Sequence, residues 1–251
     1  MGTVGRGRLA ITGHRSDLGR WRAAQRDADP RLRDYVHGYV ASDGFLPRPL
    51  HERHLPSLEV AIVLNFAEPH RIIDPSDPNR ATEHRRAWVV ALQHRHQLRE
   101  VFGARDFMVV RFTPIGAQML LRTPMDLLTD RIPALEEIDR PFARLLTAHA
   151  EAADDWSTRF DIVERTIAER LQSAANPPSA LCHSWRMLQE SPNHFDLARL
   201  PGQFGCSRRH LIAQFHTYVG MAPKTIARIR RFNLAVDAIN RIARRGAAAH
   251  P

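Results

Sequence analysis

The stretch LEVAIVLNF, residues 58–66, decides the fold of the front part of the chain. It is an apolar run of strand length, rich in β-branched residues and bounded by Pro56 and Pro69. Such a run indicates a buried β-strand. Several short strands at regular spacing predict an antiparallel sheet or a small barrel. The other predicted strands are residues 88–92 (WVVAL), 97–102 and 107–112 (FMVVRF).

The segments around these strands are rich in turn-forming residues. Residues 1–20, which contain many Gly and Arg, predict a flexible arm. Residues 31–40 predict a short strand or helix, which the Asp, Gly and Pro residues of segment 43–49 bring to an end. Residues 68–80 (EPHRIIDPSDPNR) predict a turn-rich loop, and Gly103 predicts a turn before the last strand.

The spacing of apolar residues changes to a helical period after Pro114. Residues 117–121 and 125–128 predict short helices, and two apolar stripes with spacings of three and four predict longer ones. Strands followed by helices indicate an α+β fold. The stripes consist of Leu135, Ile138, Phe142, Leu145 and Leu146, and of Phe160, Val163, Ile167 and Leu171.

The pattern divides the chain behind its arm into two domains. Residues 21–175 are predicted to form a β-rich sensor or dimerisation domain with trailing helices. The run NPPS opens a predicted linker over residues 176–181, because proline ends the preceding helix. Residues 182–251 are predicted to form an all-helical domain.

Positive charge is concentrated in the last 70 residues of the chain. The whole sequence carries a formal net charge of +9, and residues 182–251, with 11 basic and three acidic residues, carry +8 of it. Such segregation indicates a polyanionic partner, since basic groups that dock on phosphates release condensed counterions. A second interpretation is codon bias, because Lys224 is the one lysine and the other 35 basic residues are arginines.

Several classes of protein are excluded by composition. The sequence contains no run of about 18 apolar residues, so no membrane span is expected. The first 15 residues lack the apolar core of a signal peptide. Cys182 and Cys206 are too few for a disulfide framework or a four-cysteine zinc site. These features predict a cytoplasmic protein.

Catalytic and metal-binding motifs are not found in the sequence. It contains no GxSxG, P-loop, GxGxxG or HExxH pattern. His51 and His54, like His94 and His96, lie close together, but a metal site needs three or four converging ligands, and chance proximity among 14 histidines explains both pairs better. We therefore expect no enzyme activity, no metal and no cofactor.

The last domain has the pattern of a helix-turn-helix. Residues 196–204 predict a short helix, residues 205–207 a tight turn that ends in an N-cap, and residues 207–219 a second helix. Gly220 ends that helix, and Pro223 begins a longer one that runs to about residue 244. In this arrangement the second helix lies in the major groove, with its first residues at the base edges.

Residues 205–235, GCSRRHLIAQFHTYVGMAPKTIARIRRFNLA, resemble the first helix-turn-helix and the connecting helix of AraC-type (AraC/XylS) transcriptional regulators. Residues 51–66 and 107–121 resemble the sensor-like domain that precedes this unit in some of those regulators. The resemblance implies a β-rich, cupin-like or small-barrel domain followed by a sequence-specific DNA-binding domain. The matching positions are Gly205, Ser207, Leu211, Phe215, Gly220, Pro223, Arg231 and Ala235.

The chain departs from the family pattern in two ways. The family usually has two helix-turn-helix motifs, whereas this sequence ends six residues after Arg245 and contains only the first. Pro201 and Gly202 fall within the first helix of that motif, and an interior proline costs about 3 kcal/mol. The alternative interpretation is therefore a ligand-binding or interaction module, derived from such a regulator, that has lost tight DNA binding.

The resemblance implies double-stranded DNA as the partner, a small-molecule effector, and a homodimer that pairs two half-sites. Arginine is suited to guanine because its fork matches O6 and N7, although exposed arginines also serve as plain phosphate contacts. The implied base contacts are Arg208, Arg209, His210, Ala213 and Gln214, and the implied phosphate contacts are Ser207, Lys224, Arg228 and Arg231.

Polar and aromatic residues on or beside the predicted strands are candidates for a ligand pocket. A sensor domain places such groups on the walls of a cavity, where they orient a small molecule. The alternatives are buried ion pairs and ordinary positions on the sheet surface. The candidate pocket residues are Arg53, Asn65, Trp88 and Arg111.

Overall fold

A computed structural model describes residues 7–74, 77–192 and 207–248. Within these residues eight strands precede seven α-helices, so the mixed fold with an antiparallel sheet is confirmed. The strands are β1 Ala10–Ser16, β2 Gly19–Asp27, β3 Val36–His54, β4 Val60–Asn65, β5 His70–Asp74, β6 Asp77–His84, β7 Ala87–Val90 and β8 Gln97–Phe112. The helices are α1 Pro114–Leu121, α2 Leu135–Ile138, α3 Arg140–Glu151, α4 Trp156–Gln172, α5 Ser179–Glu190, α6 Arg208–Val219 and α7 Pro223–Ala248.

The sheet has the strand order β1-β2-β3-β8-β4-β7, and β5 pairs with both β8 and β6. Side chains alternate between its two faces because successive residues of a strand point in opposite directions. Along β8, Met108, Val110 and Phe112 are buried in the main core, where the helices also pack. The intervening residues Phe107 and Val109 face a cavity on the other side of the sheet.

The two longest strands correct three predictions. Residues 97–102 and 107–112 belong to one continuous strand, β8, and Gly103 lies within it at a φ of +76° rather than in a turn. Segment 43–49 does not end β3, which continues to His54. Its prolines fall in a register shift between Leu46 and Leu50, where the missing N–H groups interrupt no regular pairing. Segment 31–40 contributes both a short 3₁₀ helix, Pro30–Leu32, and the start of β3.

Two segments predicted to lack regular structure form hairpins. The prediction of a flexible arm over residues 1–20 is wrong for its described part, since β1 pairs antiparallel with β2 from Ala10 to Ser16. Residues 70–74 and 77–80 do not form the predicted loop but lie in β5 and β6, which pair with each other. Every residue of β1 is exposed, so backbone pairing holds it in place. Such a strand leaves little hydrophobic signal in the sequence.

Within the described residues the predicted helices agree with the structure, apart from the division of one stripe and the exposure of one leucine. The stripe of α4 is buried from Phe160 to Leu171, and the side chain of Asp155 caps the helix by accepting a hydrogen bond from the Thr158 N–H. The stripe over residues 135–146 is divided between α2 and α3, because Asp139 ends one helix and caps the next. Leu145 was expected in the core, yet it is 48% exposed on α3.

A buried cation joins the sheet to α4. Arg26 on β2 is only 3% exposed and forms ion pairs with Asp161 and Glu164 on the helix. Its guanidinium also lies 5.3 Å from the centre of the Phe160 ring. Because a buried charge is costly unless it is paired, these contacts fix the position of α4 over the sheet.

The last helices share the core of the front domain. The linker predicted over residues 176–181 is shorter than expected, since α5 begins at Ser179 and Leu181 is fully buried. Helix α6 packs against α1 and the 3₁₀ helix Met125–Leu127. The Thr129 hydroxyl donates a hydrogen bond of 2.9 Å to the carbonyl of Gly220, the residue that ends α6.

We predict that Gly220→Ala destabilises the protein by about 2–4 kcal/mol. Gly220 has a φ of +91°, and an added Cβ would lie 2.5 Å from the Thr129 hydroxyl and 2.9 Å from the Met125 carbonyl. The measurement is the free energy of unfolding from chemical denaturation. Gly13→Ala is the matched control, because a Cβ there meets nothing within 4 Å. Equal stability of the two variants would contradict the close packing of α6 on the front domain.

Candidate nucleic-acid interface and ligand cavity

Helix α6 has well-formed ends. The side chain of Ser207 accepts a hydrogen bond of 3.1 Å from the His210 N–H, which is the N-cap that the sequence predicted. At the other end, Gly220 adopts the left-handed conformation, and its N–H lies 3.0 Å from the carbonyls of Phe215 and His216. The predicted bounds of this helix are therefore confirmed.

The two faces of α6 differ in burial. Leu211, Phe215 and Val219 are fully buried and fix the helix to the rest of the protein. Arg208, Arg209, His210 and Ala213, all predicted base contacts, are exposed. The first turn of α6 therefore presents two guanidinium groups to solvent at the end where the helix dipole is positive.

The two remaining predicted contacts at α6, Ser207 and Gln214, take part in hydrogen bonds within the helix. The oxygen of Ser207 accepts the capping hydrogen bond, which does not use its O–H as a donor. Gln214 is half-buried, and its Nε2 lies 2.8 Å from Nε2 of His210. His210 and Gln214 therefore form one polar unit on the outer side of the helix.

The predicted phosphate contacts on α7 have two different environments. Lys224 and Arg228 are exposed and lie one helical turn apart on the same face. Arg231 is also exposed, but one of its terminal nitrogens donates a hydrogen bond of 3.3 Å to the Pro192 carbonyl. Two cations of this group are thus available to a polyanion, while the third ties α7 to the segment after α5.

The first part of the predicted helix-turn-helix lies outside the described residues. This applies to the short helix over residues 196–204, including Pro201, and to Gly205 and Cys206 in the turn. The packing of that helix against α6 consequently stays a prediction.

A cavity of about 430 Å³ lies against the face of the sheet opposite the main core. Its walls contain alternate residues of β3, β4, β7 and β8, which follows from the period of two along each strand. Two of the candidate pocket residues, Trp88 and Arg111, line it. Its apolar wall includes Val40, Val63, Val90, Phe107 and Val109.

The other two predicted pocket residues, Asn65 and Arg53, are not among those that line this cavity. The side-chain amide of Asn65 is buried and donates hydrogen bonds of 3.0 Å to the carbonyls of Glu68 and Arg85. It holds together two chain segments instead of facing the cavity. Arg53 on β3 is paired with Leu98 on β8, and it does not line the cavity either.

The cavity contains polar residues that sequence reasoning did not select. The Glu59 carboxylate lies 2.8 Å from Nδ1 of His37 and 3.9 Å from a terminal nitrogen of Arg111. Burial opposes ionisation of Glu59, but His37 and Arg111 together hold the pKa of this carboxyl below its usual range. Gln97 and Arg99 also line the cavity. The alternation that continues back from Val63 to Glu59 was the signal that could have identified this carboxylate.

Arg99 is already neutralised by a second carboxylate. Its Nε donates a hydrogen bond of 3.0 Å to Glu52 on the adjacent strand, and a terminal nitrogen pairs with the same oxygen. Burial would raise the pKa of Glu52, but hydrogen bonds to His54 and Arg99 lower it to about 2. Glu52 is therefore ionised at neutral pH, and the pair carries no net charge.

A neutral histidine supports the aromatic wall of the cavity. His70 is 2% exposed and lies edge-on to Trp88 and Phe107, with ring centres 5.2 and 5.4 Å apart respectively. Burial, reinforced by the charges of Arg99 and Arg105, lowers the pKa of His70 to about 3. The imidazole is consequently uncharged in the folded protein near neutral pH.

The histidine pairs considered as metal ligands have separate partners. His51 lies 3.0 Å from Glu100, and His94 lies 2.7 Å from Asp130. Within residues 7–74, 77–192 and 207–248, no group of three or more His, Cys, Asp or Glu side chains has the arrangement of a metal site. In the same part of the chain, each helix is too short or too polar to span a bilayer.

Comparison with known proteins gives a partial sequence match and remote structural likenesses. A family model described as a domain of unknown function (DUF6597) matches residues 25–133, less than half of the chain, and no curated protein sequence matches. The AraC-like transcriptional activator CuxR is 10% identical over 90% of this chain and 86% of its own, with a TM-score of 0.35. ToxT from Vibrio cholerae is 10% identical over 76% of this chain and 81% of its own, with a TM-score of 0.38.

A further likeness covers only the front part of the chain. HppE in its Fe(II) form is 9% identical over 41% of this chain, with a TM-score of 0.33, and the match spans 56% of the length of HppE. At these TM-scores the three structures decide neither the fold nor the function of this chain.

We predict that His70 makes the stability of the protein sensitive to acid. Because the pKa of His70 falls from an ordinary 6.5 to about 3 on folding, protonation favours the unfolded chain. The stabilisation that the neutral His70 side chain gives the folded state is complete above pH 6.5 and is lost as the pH falls towards 3. As the pH is lowered from 6.5 to 5, the free energy of unfolding of His70→Phe should fall less steeply than that of the unmodified protein. The two slopes should differ by up to about 1.4 kcal/mol per pH unit.

The measurement is urea denaturation at a series of pH values. His216→Gln, which removes an exposed histidine from α6, is the control and should retain the slope of the unmodified protein. A slope that His70→Phe leaves unchanged would mean that His70 binds its proton equally well in the folded and unfolded chain, and would contradict the prediction.

Proposed function

We propose that this protein is a cytoplasmic DNA-binding transcriptional regulator of the AraC type, without catalytic activity. In this proposal α6 enters the major groove of double-stranded DNA, and the front domain binds a small-molecule effector. The resemblance of residues 205–235 to the family's helix-turn-helix supports the proposal. The segregation of net charge towards the same end of the chain supports it independently.

The observation that carries the proposal is the arrangement of α6. Its apolar side is buried by Leu211, Phe215 and Val219, while Arg208 and Arg209 at its first turn are exposed. A helix that is fixed on one side and cationic at its front end suits entry into a groove lined by phosphates. Packing of α6 on the front domain leaves that front end accessible.

We assign different tasks to the exposed groups. Arg208 and Arg209, with the His210–Gln214 unit, would contact base edges, and Ala213 would contact a thymine methyl group. Lys224 and Arg228 would contact phosphates, which set the register without reading sequence. The O–H of Ser207 and the other N–H donors of Arg231 would also contact phosphates, since each structural hydrogen bond occupies only part of the side chain.

We also propose that the regulator acts as a homodimer. The described residues present one helix with this cationic front end, and one such helix covers a single half-site. Two copies that bind half-sites about one helical turn apart would enlarge the footprint. Sedimentation measures the assembly state directly, and a monomer that binds one half-site tightly at physiological salt would contradict this part of the proposal.

We predict that the protein binds duplex DNA with an affinity that falls steeply as salt increases. Substituting Lys224 with Ala should reduce the slope of log affinity against log salt by about 1, because one phosphate contact is lost. Substituting Arg209 with Ala should cost about 1–3 kcal/mol on a preferred sequence and less on random duplex. Fluorescence anisotropy over a salt series measures both effects.

Arg144→Ala provides a matched control for these variants. Arg144 is an exposed helical arginine of the front domain, on α3, and its loss should leave DNA affinity and salt slope unchanged. If Arg144→Ala and Arg209→Ala weakened DNA binding equally, the affinity would depend on the total positive charge of the protein and not on the position of the arginine. Little binding at any salt concentration would favour the alternative, a module that no longer binds DNA tightly.

A further inference from the structure

Two side chains that line the cavity carry hydrogen-bond donors without acceptors. Nε of Arg111 and Nε2 of Gln97 are both inaccessible to solvent and have no hydrogen-bond partner among the described residues. Because neither nitrogen can be reached from the cavity, the donors that a ligand would meet are the terminal nitrogens of Arg111, whose side chain is 32% exposed. The cavity therefore offers an acceptor the end of one guanidinium group.

The charges on the cavity wall favour an anion. Arg99 is neutralised by Glu52, and Arg95 is exposed at the wall, which leaves Arg111 as the half-buried cation without a close partner among the described residues. Glu59 lies 3.9 Å from it, longer than a charged hydrogen bond, and contacts His37 at 2.8 Å instead. An acid group on a ligand would therefore meet an under-coordinated guanidinium.

Much of the remaining wall is apolar. Val40, Val63, Val109, Phe107 and Trp88 surround the space, and its volume of about 430 Å³ lies within the range of small-molecule pockets. His54, Ser57 and Gln93 also line the cavity. The apolar part of the wall favours a ligand with a hydrocarbon or aromatic body.

We propose that this cavity binds a small organic acid whose acid group accepts hydrogen bonds from the terminal nitrogens of Arg111 and replaces Glu59 as the neighbour of Arg111. The inference deepens the proposed function and rests on it in one respect, namely that the acid would be the effector.

The position of Glu59 gives such a ligand a route to the last helices. Leu55, Ser57 and Glu59 line the cavity and also line a separate cleft of about 480 Å³. The opposite wall of that cleft contains Trp185 on α5 and Arg230 on α7. A ligand that displaces Glu59 from Arg111 therefore acts on the segment that separates the cavity from α5 and α7.

The test is calorimetric titration of the full chain with 4-phenylbutyrate, 4-phenylbutanol and 4-phenylbutylamine, which share one apolar body. We expect the acid to bind at least tenfold more tightly than the alcohol and the amine to bind most weakly, since a charged hydrogen bond is stronger than a neutral one. Arg111→Met should remove the preference for the acid over the alcohol. Glu59→Gln should strengthen binding of the acid several-fold, because a competing and repelling carboxylate is removed.

Arg53→Met is the matched control, because Arg53 lies on β3 next to the cavity but does not line it. It should leave all three affinities unchanged, and near-ultraviolet circular dichroism should report the same folded state for every variant. Failure of all three probes to bind, equal affinity of acid and alcohol, or weaker acid binding by Glu59→Gln would each overturn the inference.

The titration contains no DNA, so its result is independent of the regulator proposal. A protein that binds DNA with the expected salt dependence but does not prefer the acid would overturn this inference alone. A protein that binds the acid through Arg111 but never binds DNA would overturn the regulator proposal and leave the ligand class in place.

Discussion

Strands β4 and β8 contact two different environments at once, and the arrangement of the remaining elements follows from this constraint. Ile62, Leu64, Met108 and Val110 lie in the main core with the helices, while the residues between them line the cavity. A shift of one residue in the pairing of β4 with β8 would reverse these two sets. Because both faces of these strands carry apolar side chains, both faces are more stable when buried. The sheet therefore positions the helices and the cavity together.

Helix α6 depends on the same core. Its stripe from Leu211 to Val219 joins the cluster that includes the front helices, and Gly220 lies so close to Thr129 and Met125 that no side chain fits there. The polar residues of its first turn are thereby held in a fixed relation to the sheet. The exposed arginines are thus joined to the front domain by packed side chains.

The sequence predicted most reliably the elements that are held by burial. Residues 58–66 and 107–112 are continuous apolar runs, and α4 and α6 carry clear stripes between good caps, so each lies where it was expected. Strand β1 and the β5–β6 hairpin were missed because backbone pairing, rather than a buried face, defines them. The prolines at 47 and 49 predict the end of a strand, but a register shift accommodates them within β3.

The candidate site was predictable only in part, for a related reason. Trp88 and Arg111 were identified by residue type, and the pairing of the strands brings them to one cavity. An amide such as that of Asn65 can face a ligand or join two turns, and only the neighbouring carbonyls decide between these roles. Glu59 and His37 are 22 residues apart in the sequence, and no local pattern predicts that their side chains form a hydrogen bond.

The single core shared by both halves has a practical consequence for dissecting the protein. A cut in the coil before α5 would leave the face of α1 that contacts α6 uncovered on one fragment, and Phe215 and Leu211 uncovered on the other. Each piece would then carry an adhesive apolar surface, prone to self-association. Recombinant work on either half is best served by surface substitutions in the intact polypeptide rather than by truncation.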